Sequence, residues 1–263
     1  MKKIFCLVLA LVMCACTLVS CKKDDNVLTC GITIIPGLNE QDADGNWIGF
    51  ESEFAMEVGK ILGMEVKFQE IDWAQKYNEL NSGAIDCVWN GFTANCADDD
   101  GIQRADKVDF TYNYMTNAQC ILRLDSTADV ADKASFGEVT IAYEAGSAAE
   151  GFVADITGAN LKEVSSQMNA VMEVKAGTAQ YAVVDYLLAK SLAGQSDYAN
   201  LVINEGITID AEYYAIGFKK GSDLTAKVNE KLVAYAANGT LATLAAKYGL
   251  SNQVITDYTD QIK

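Results

Sequence analysis

From residue 27 onward, short apolar runs alternate with amphipathic stretches of helical period. That alternation restricts the chain to an α/β architecture, strands covered by helices, because each element must bury one face against another. It is most explicit at residues 80–110, LNSGAIDCVWNGFTANCADDDGIQRADKVDF. Ser82-Gly83 ends a helix with a tight turn. The apolar run 85–89 reads as a buried strand. It empties into Asn90-Gly91-Phe92-Thr93, and small, hydroxyl and amide residues at a strand's carboxyl end place donors at the crevice where open α/β sheets bind ligands. Arg104 follows, the only arginine before residue 110. Its guanidinium is always charged and matches a carboxylate with two parallel bonds.

The rest of the chain repeats the pattern. Residues 27–35 read as a first strand closed by Pro36-Gly37. Asp42-Ala43-Asp44-Gly45-Asn46 resembles the start of a calcium loop, but Trp47 occupies the required glycine position, so a β-turn is expected. Gly49-Phe50-Glu51-Ser52-Glu53 opens a helix with Phe50, Phe54, Val58, Ile61 and Leu62 on one face, ended by Gly63. Residues 66–71 form a strand, Asp72 and Gln75 have capping-box spacing, and Trp73 sits at the mouth between strand and helix. Further strands are expected at 120–124, 139–143, 181–184, 201–203 and 213–218. Gly146-Ser147-Ala148-Ala149-Glu150 starts a helix whose free N–H groups and positive dipole end suit a carboxylate. Asp185 closes the 181–184 strand and by itself reads equally well as a helix cap. An amphipathic helix through Leu224, Val228, Leu232 and Tyr235 and a last helix over 241–248 end the pattern.

The first twenty residues have the form of a leader: Lys2 and Lys3, then an apolar run too short for a comfortable membrane span. Leu18-Val19-Ser20-Cys21 matches a lipobox, which would make Cys21 the lipidated first residue of a mature chain tethered through the polar residues 21–26. The formal net charge is −16 over 263 residues, and losing the two leader lysines leaves −18. Such a surface argues against nucleic acid or an anionic bilayer as a direct partner. Histidine is absent, removing the commonest general base and metal ligand. Four cysteines remain beyond Cys21: Cys30, Cys87, Cys96 and Cys120. Cys30 and Cys87 sit in expected strands as buried thiols, and the sequence does not choose among the three possible pairings. No C-x-x-C occurs after residue 21, so neither a zinc site nor a cofactor is expected.

The residues Leu80, Ser82, Gly83, Asp86, Val88, Asn90, Gly91, Thr93, Arg104, Val108, Asp109, Phe110, Thr111 and Tyr114 resemble the first-lobe signature of the type 3 solute-binding proteins, which deliver amino acids to ABC importers. Gly146-Ser147, the strand leading to Asp185, and the terminal G-S-D-L, N-G-T-L and K-Y-G elements extend the resemblance over nearly all of 27–249. It implies a two-lobed, periplasmic-binding-protein-like (type II) α/β fold with two hinge crossovers. Lobe one would comprise 27–116 plus 211–263, and lobe two 117–210. It also implies a monomer that binds a free amino acid between the lobes and docks on a permease. Arg104, the Thr93 hydroxyl and the N–H groups at Ser147-Ala148 would hold the ligand carboxylate, and Asp185 its ammonium. Trp73, with Trp89 and Phe92, would form the apolar wall; Glu53 and Asn90 are candidates for reading the side chain, and Gly91 would complete the pocket. Two departures stand out. Asn113 replaces a proline, and the segment from Thr93 to Arg104 is longer than the family spacing, so 96–101 is expected as an exposed insertion without a part in binding. The same fold hosts dehydratase-type enzymes, for which Glu53 is a candidate acid, and sensor input domains. The importer reading is preferred because no histidine and no attached transmembrane or kinase segment accompany it.

Overall fold

The chain passes twice between two sheets. Strand β1 (Val27–Ile32) is followed by a hairpin of β2 (Glu40–Gln41) and β3 (Trp47–Ile48), helix α1 (Phe50–Leu62) and strand β4 (Glu65–Glu70). Helix α2 (Lys76–Ser82), strand β5 (Cys87–Val88), helix α3 (Arg104–Lys107) and strand β6 (Asp109–Phe110) end the first pass. The long strand β7 (Met115–Leu124) leads into β8 (Thr140–Glu144), α4 (Ala148–Val153), β9 (Asn160–Val164), α5 (Gln167–Lys175), β10 (Tyr181–Asp185), α6 (Tyr186–Leu192) and β11 (Leu201–Ile203). Strand β12 (Ala211–Tyr214) returns antiparallel along the start of β7, and β13 (Gly217–Phe218), α7 (Leu224–Ala237) and α8 (Thr240–Lys247) follow. This computed structural model describes residues 26–207 and 209–262. The expected leader, Cys21 and all but the last residue of the tether lie outside them.

The first sheet has the order β4-β1-β5-β13-β6 and the second β11-β7-β10-β8-β9. In the first, β1 is parallel to both β4 and β5, while β13 joins antiparallel from the chain's return. In the second, β10 lies between β7 and β8, so the ends of β8 and β10 emerge side by side. The two-lobed α/β arrangement follows from this topology, with β7 and β12 as the paired strands connecting the lobes.

Local sequence accounts for most element ends. Helix α1 buries Phe50, Phe54 and Val58, and Gly63 caps it in the left-handed conformation that glycine adopts most readily. Ile61, on the same stripe, is half exposed. Asp42 accepts hydrogen bonds from the N–H groups of Asp44 and Asn46, forming the expected turn between β2 and β3. Asp72 caps a single 3-10 turn rather than α2 itself. The Cys30 and Cys87 sulfurs lie 3.6 Å apart across β1 and β5, and no disulfide joins the described cysteines. Among the described residues no helix is long and apolar enough to cross a membrane.

Candidate ligand-binding cleft

Strand ends from both lobes converge on one small polar pocket. It is lined by Trp73, Asn90, Gly91, Thr93 and Arg104 from the first lobe and by Glu144, Ser147, Ala148, Gln167 and Asp185 from the second. The space left among them is about 10 Å³, room for about one water, so the lobes are closed on each other. Gly146 marks the tightest approach. Its φ is +69°, and a Cβ there would lie 3.2 Å from the Ala74 Cα across the cleft. The Gly146 carbonyl accepts hydrogen bonds from Lys76 Nζ at 2.8 Å and from an Arg104 terminal nitrogen at 3.1 Å. Two first-lobe cations therefore clasp one second-lobe carbonyl.

Arg104 is 1% exposed and fully oriented. Its Nε pairs with Asp98 at 2.8 Å, its second terminal nitrogen donates to the Thr93 carbonyl, and its guanidinium lies over Phe92. Asp98 also accepts from Lys107 Nζ and the Tyr77 hydroxyl. Burial pushes the Asp98 carboxyl up, but Arg104 together with the Lys107 and Tyr77 bonds outweighs it and holds the group down at about 2. The expectation of an exposed 96–101 insertion is therefore corrected. The loop folds back so that Asp98 fixes the cleft arginine, and only its tip, Asp99 to Gly101, is exposed. Its extra length supplies a counter-ion that spacing alone does not reveal.

Asp185 is buried and accepts from Gln119, from Gln167 Nε2 at 2.9 Å and from the Tyr214 hydroxyl at 2.7 Å. Burial raises its pKa, the three donors working against that rise. Thr93 and Asn90 are already engaged. The Thr93 hydroxyl donates to Glu212 at 3.1 Å, and Asn90 exchanges hydrogen bonds with Thr33 at the end of β1. The Gly91 N–H donates to Glu51 rather than into the cleft, and its φ of +52° lets the backbone pass against the Tyr214 ring. Trp73 stands edge-on to Phe92, their centroids 5.4 Å apart, so Phe92 backs both Trp73 and Arg104 from beneath the lining. Ser147 does not cap α4 with its side chain; its buried hydroxyl has no partner, and Glu150 instead accepts from the Gly146 N–H.

Three expected pocket residues lie outside the lining: Phe92, which stands beneath it, Trp89 and Glu53. Trp89 is fully buried against Phe54 within the first lobe, because residues alternate faces along β5 and its neighbours. Glu53 pairs with Lys247 and Tyr248 on the outer face of α1, beside a groove formed with α8. It therefore cannot act as a cleft acid. Its helical neighbour Glu51 points inward and accepts from Tyr114, Asn39 and Gly91. Sequence reasoning missed Glu51, Lys76, Glu144, Gln167 and Glu212. Glu144 carried the same signal as Asp185, an acid directly after an apolar strand.

Burial raises three of these carboxyls, Glu51 and Glu212 to about 7 and Glu144 to about 8. Each stays protonated in the fold over a pH range where the unfolded chain has released its proton. Stability is thus lost as pH rises from about 4.5 through 8. Asp98 acts at the other end: depressed to about 2, it contributes stability that is lost as pH falls below about 4. Lys76, lowered by burial to about 8, adds stability only above that value. The ligand-free melting temperature is expected to peak near pH 5 and to fall by about 5 °C or more by pH 8. Scanning calorimetry across pH 4–9 checks this, and a flat profile would contradict it.

The model of the family described as bacterial extracellular solute-binding proteins, family 3, matches residues 28–251. The chain belongs to this family. Among its relatives, the L-cystine-binding protein TcyA of Bacillus subtilis is 27% identical over 218 residues, covering 80% of this chain and 75% of the relative. The arginine-binding extracellular protein ArtP of Bacillus subtilis is 26% identical, covering 77% and 78%. The solved structure of an ancestral arginine-binding protein bound to glutamine superposes with a TM-score of 0.77 at 26% identity, covering 86% of this chain and 99% of that one. The fold is therefore the two-lobed type II binding-protein fold. A family of binding proteins, rather than of enzymes, is the setting for this cleft.

Proposed function

We propose that the protein captures a free amino acid between its lobes and hands it to the permease of an ABC importer. The observation that carries this reading is the polarity of the cleft. A buried guanidinium, Arg104, comes from one lobe and a buried carboxylate, Asp185, from the other. A zwitterion presents the complementary pair, and leaving either of its charges unpaired in a closed site is costly. The names of the cystine- and arginine-binding relatives support an amino acid as ligand. In this reading Arg104 and the N–H groups at Ser147-Ala148 hold the carboxylate, joined by the Thr93 hydroxyl once it turns from Glu212, while Asp185 holds the ammonium and Trp73 covers the carbon skeleton. Residues 27–116 with 211–263 and residues 117–210 move as two units about β7 and β12, and opening the Gly146 clasp admits the ligand.

A thermal-shift screen of the twenty amino acids tests the reading. A ligand at 100 times its Kd adds about 2.7 kcal/mol to the folded state, an upward shift of roughly 5–10 °C. No shift with any of them would sink it. We further propose that the protein works as a monomer held at the outer face of the membrane by lipid on Cys21, as the lipobox and the following polar residues suggest. Cys21→Ala is expected to move it from the membrane fraction to the soluble fraction without changing its melting temperature. Retention of the variant in the pellet would count against the anchor.

A further inference from the structure

Once the ligand's two backbone charges are assigned, one cleft carboxylate is left over. Glu144 ends β8 beside Asp185 at the end of β10 and is 2% exposed. One side of its carboxylate receives the backbone N–H of Gln167, whose side chain bonds Asp185, so a single residue holds both acids in place. The other oxygen, Oε1, is buried without any hydrogen-bond partner. Glu144 makes no ion pair among the described residues. The nearest cations are committed elsewhere: Lys76 directs Nζ at the carbonyls of Gly146 and Trp73, and Arg104 is paired with Asp98. The unpaired Ser147 hydroxyl lines the same pocket.

A buried acceptor with an empty lone pair carries a desolvation cost unless something donates to it. A neutral amino acid offers one ammonium, which Asp185 takes, and one carboxylate, which Arg104 takes. Glu144 then keeps its unmet oxygen inside the closed cleft. A ligand with a second cationic group donates to that oxygen and supplies the counter-charge that lets Glu144 ionise in the closed cleft. Resting on the amino-acid reading above, we propose that Glu144 reads the side chain and that the ligand is a basic amino acid, its guanidinium or terminal ammonium donating to Glu144.

Isosteric pairs separate charge from shape. L-arginine is compared with L-citrulline, which replaces the guanidinium by a neutral urea, and L-lysine with L-2-aminoheptanoic acid, which replaces the terminal ammonium by a methyl, by calorimetric titration of the purified protein. In at least one pair the basic member is expected to bind about tenfold or more tighter. Glu144→Gln is expected to remove that preference, the basic member losing about tenfold or more in affinity relative to its neutral counterpart. Equal or tighter binding of both neutral members to the parent protein overturns the assignment without any variant being made. Equal losses for both members of a pair in Glu144→Gln also overturn it, since Glu144 would then serve the shared α-ammonium. The reading beneath it fails differently: no amino acid binds the parent protein at all, and the inference falls with it. Arg104→Met, in contrast, removes basic and neutral ligands alike.

Discussion

Arg104→Met is expected to weaken amino-acid binding by about 2–5 kcal/mol, roughly 30-fold to several-thousand-fold, the range for truncating one partner of a buried charge pair. Methionine keeps much of the aliphatic volume over Phe92, so the change is chiefly electrostatic. It removes three bonds at once, to Asp98, to the Thr93 carbonyl and across the cleft to the Gly146 carbonyl. The clasp on Gly146 is then held by Lys76 alone. Asp98 keeps Lys107 and Tyr77, which limits the cost of orphaning it. The variant should therefore fold, with a lowered melting temperature, and fail as a receptor. Asp132→Asn, at an exposed acid that only caps a short turn in the second lobe, is the control and should bind like the parent. Isothermal titration of the two variants decides the matter. Parent-like affinity in Arg104→Met would remove the guanidinium from the site, and the amino-acid reading would go with it.

The sequence carried the architecture because strand and helix periods are local. Most apolar runs and glycine stops could be placed from their neighbours alone, though β9 and α5, whose sequences are more polar, were not. That Arg104, Asp185, Trp73, Thr93 and Ser147 line one cleft was expected from the family resemblance, for by itself Asp185 reads equally well as a helix cap; what local sequence showed was that they stand at strand ends or helix starts, the places a crossover fold turns toward its crevice. What was hidden depends on neighbours distant in sequence. Whether Glu51 or Glu53 faces inward is a matter of helical phase, the two being about 200° apart around the axis. Only the packing of α8 on the outer face of α1 settles it. Trp89 looks like a pocket aromatic until Phe54 is seen packed against it. The partner of Arg104 lies in a loop whose length suggested an insertion, and Glu212 reaches Thr93 and Gln119 only because β12 returns beside β7. Glu144 could have been singled out, since it ends its strand as Asp185 does.

The second large effect is expected at Asp185, where binding and stability should move apart. In the closed, ligand-free protein Asp185 is buried, accepts from Gln119, Gln167 and Tyr214, and has no ion-pair partner among the described residues. Burial raises its pKa, so the ionised form is the costly one in the empty cleft. Glu144 and Glu212 nearby supply no counter-charge. A ligand ammonium supplies the missing counter-charge, and closure of the second lobe on the first brings the two together. Asp185→Asn takes away the charge but not the shape, and the Gln119 amide can turn to present an acceptor to the new amide, while Gln167 stays fixed by the N–H of residue 185. The ligand-free variant is therefore expected to melt at or above the parent temperature, while its affinity for the best amino acid falls by about 2–5 kcal/mol and the ligand-induced rise in melting temperature disappears. A residue serving only the architecture of the second lobe would behave otherwise: stability would drop, and the ligand would still produce its full shift in the protein that remained folded. Paired melting curves with and without the ligand separate the two cases, and a stability loss with an undiminished shift would show that the ammonium is held elsewhere.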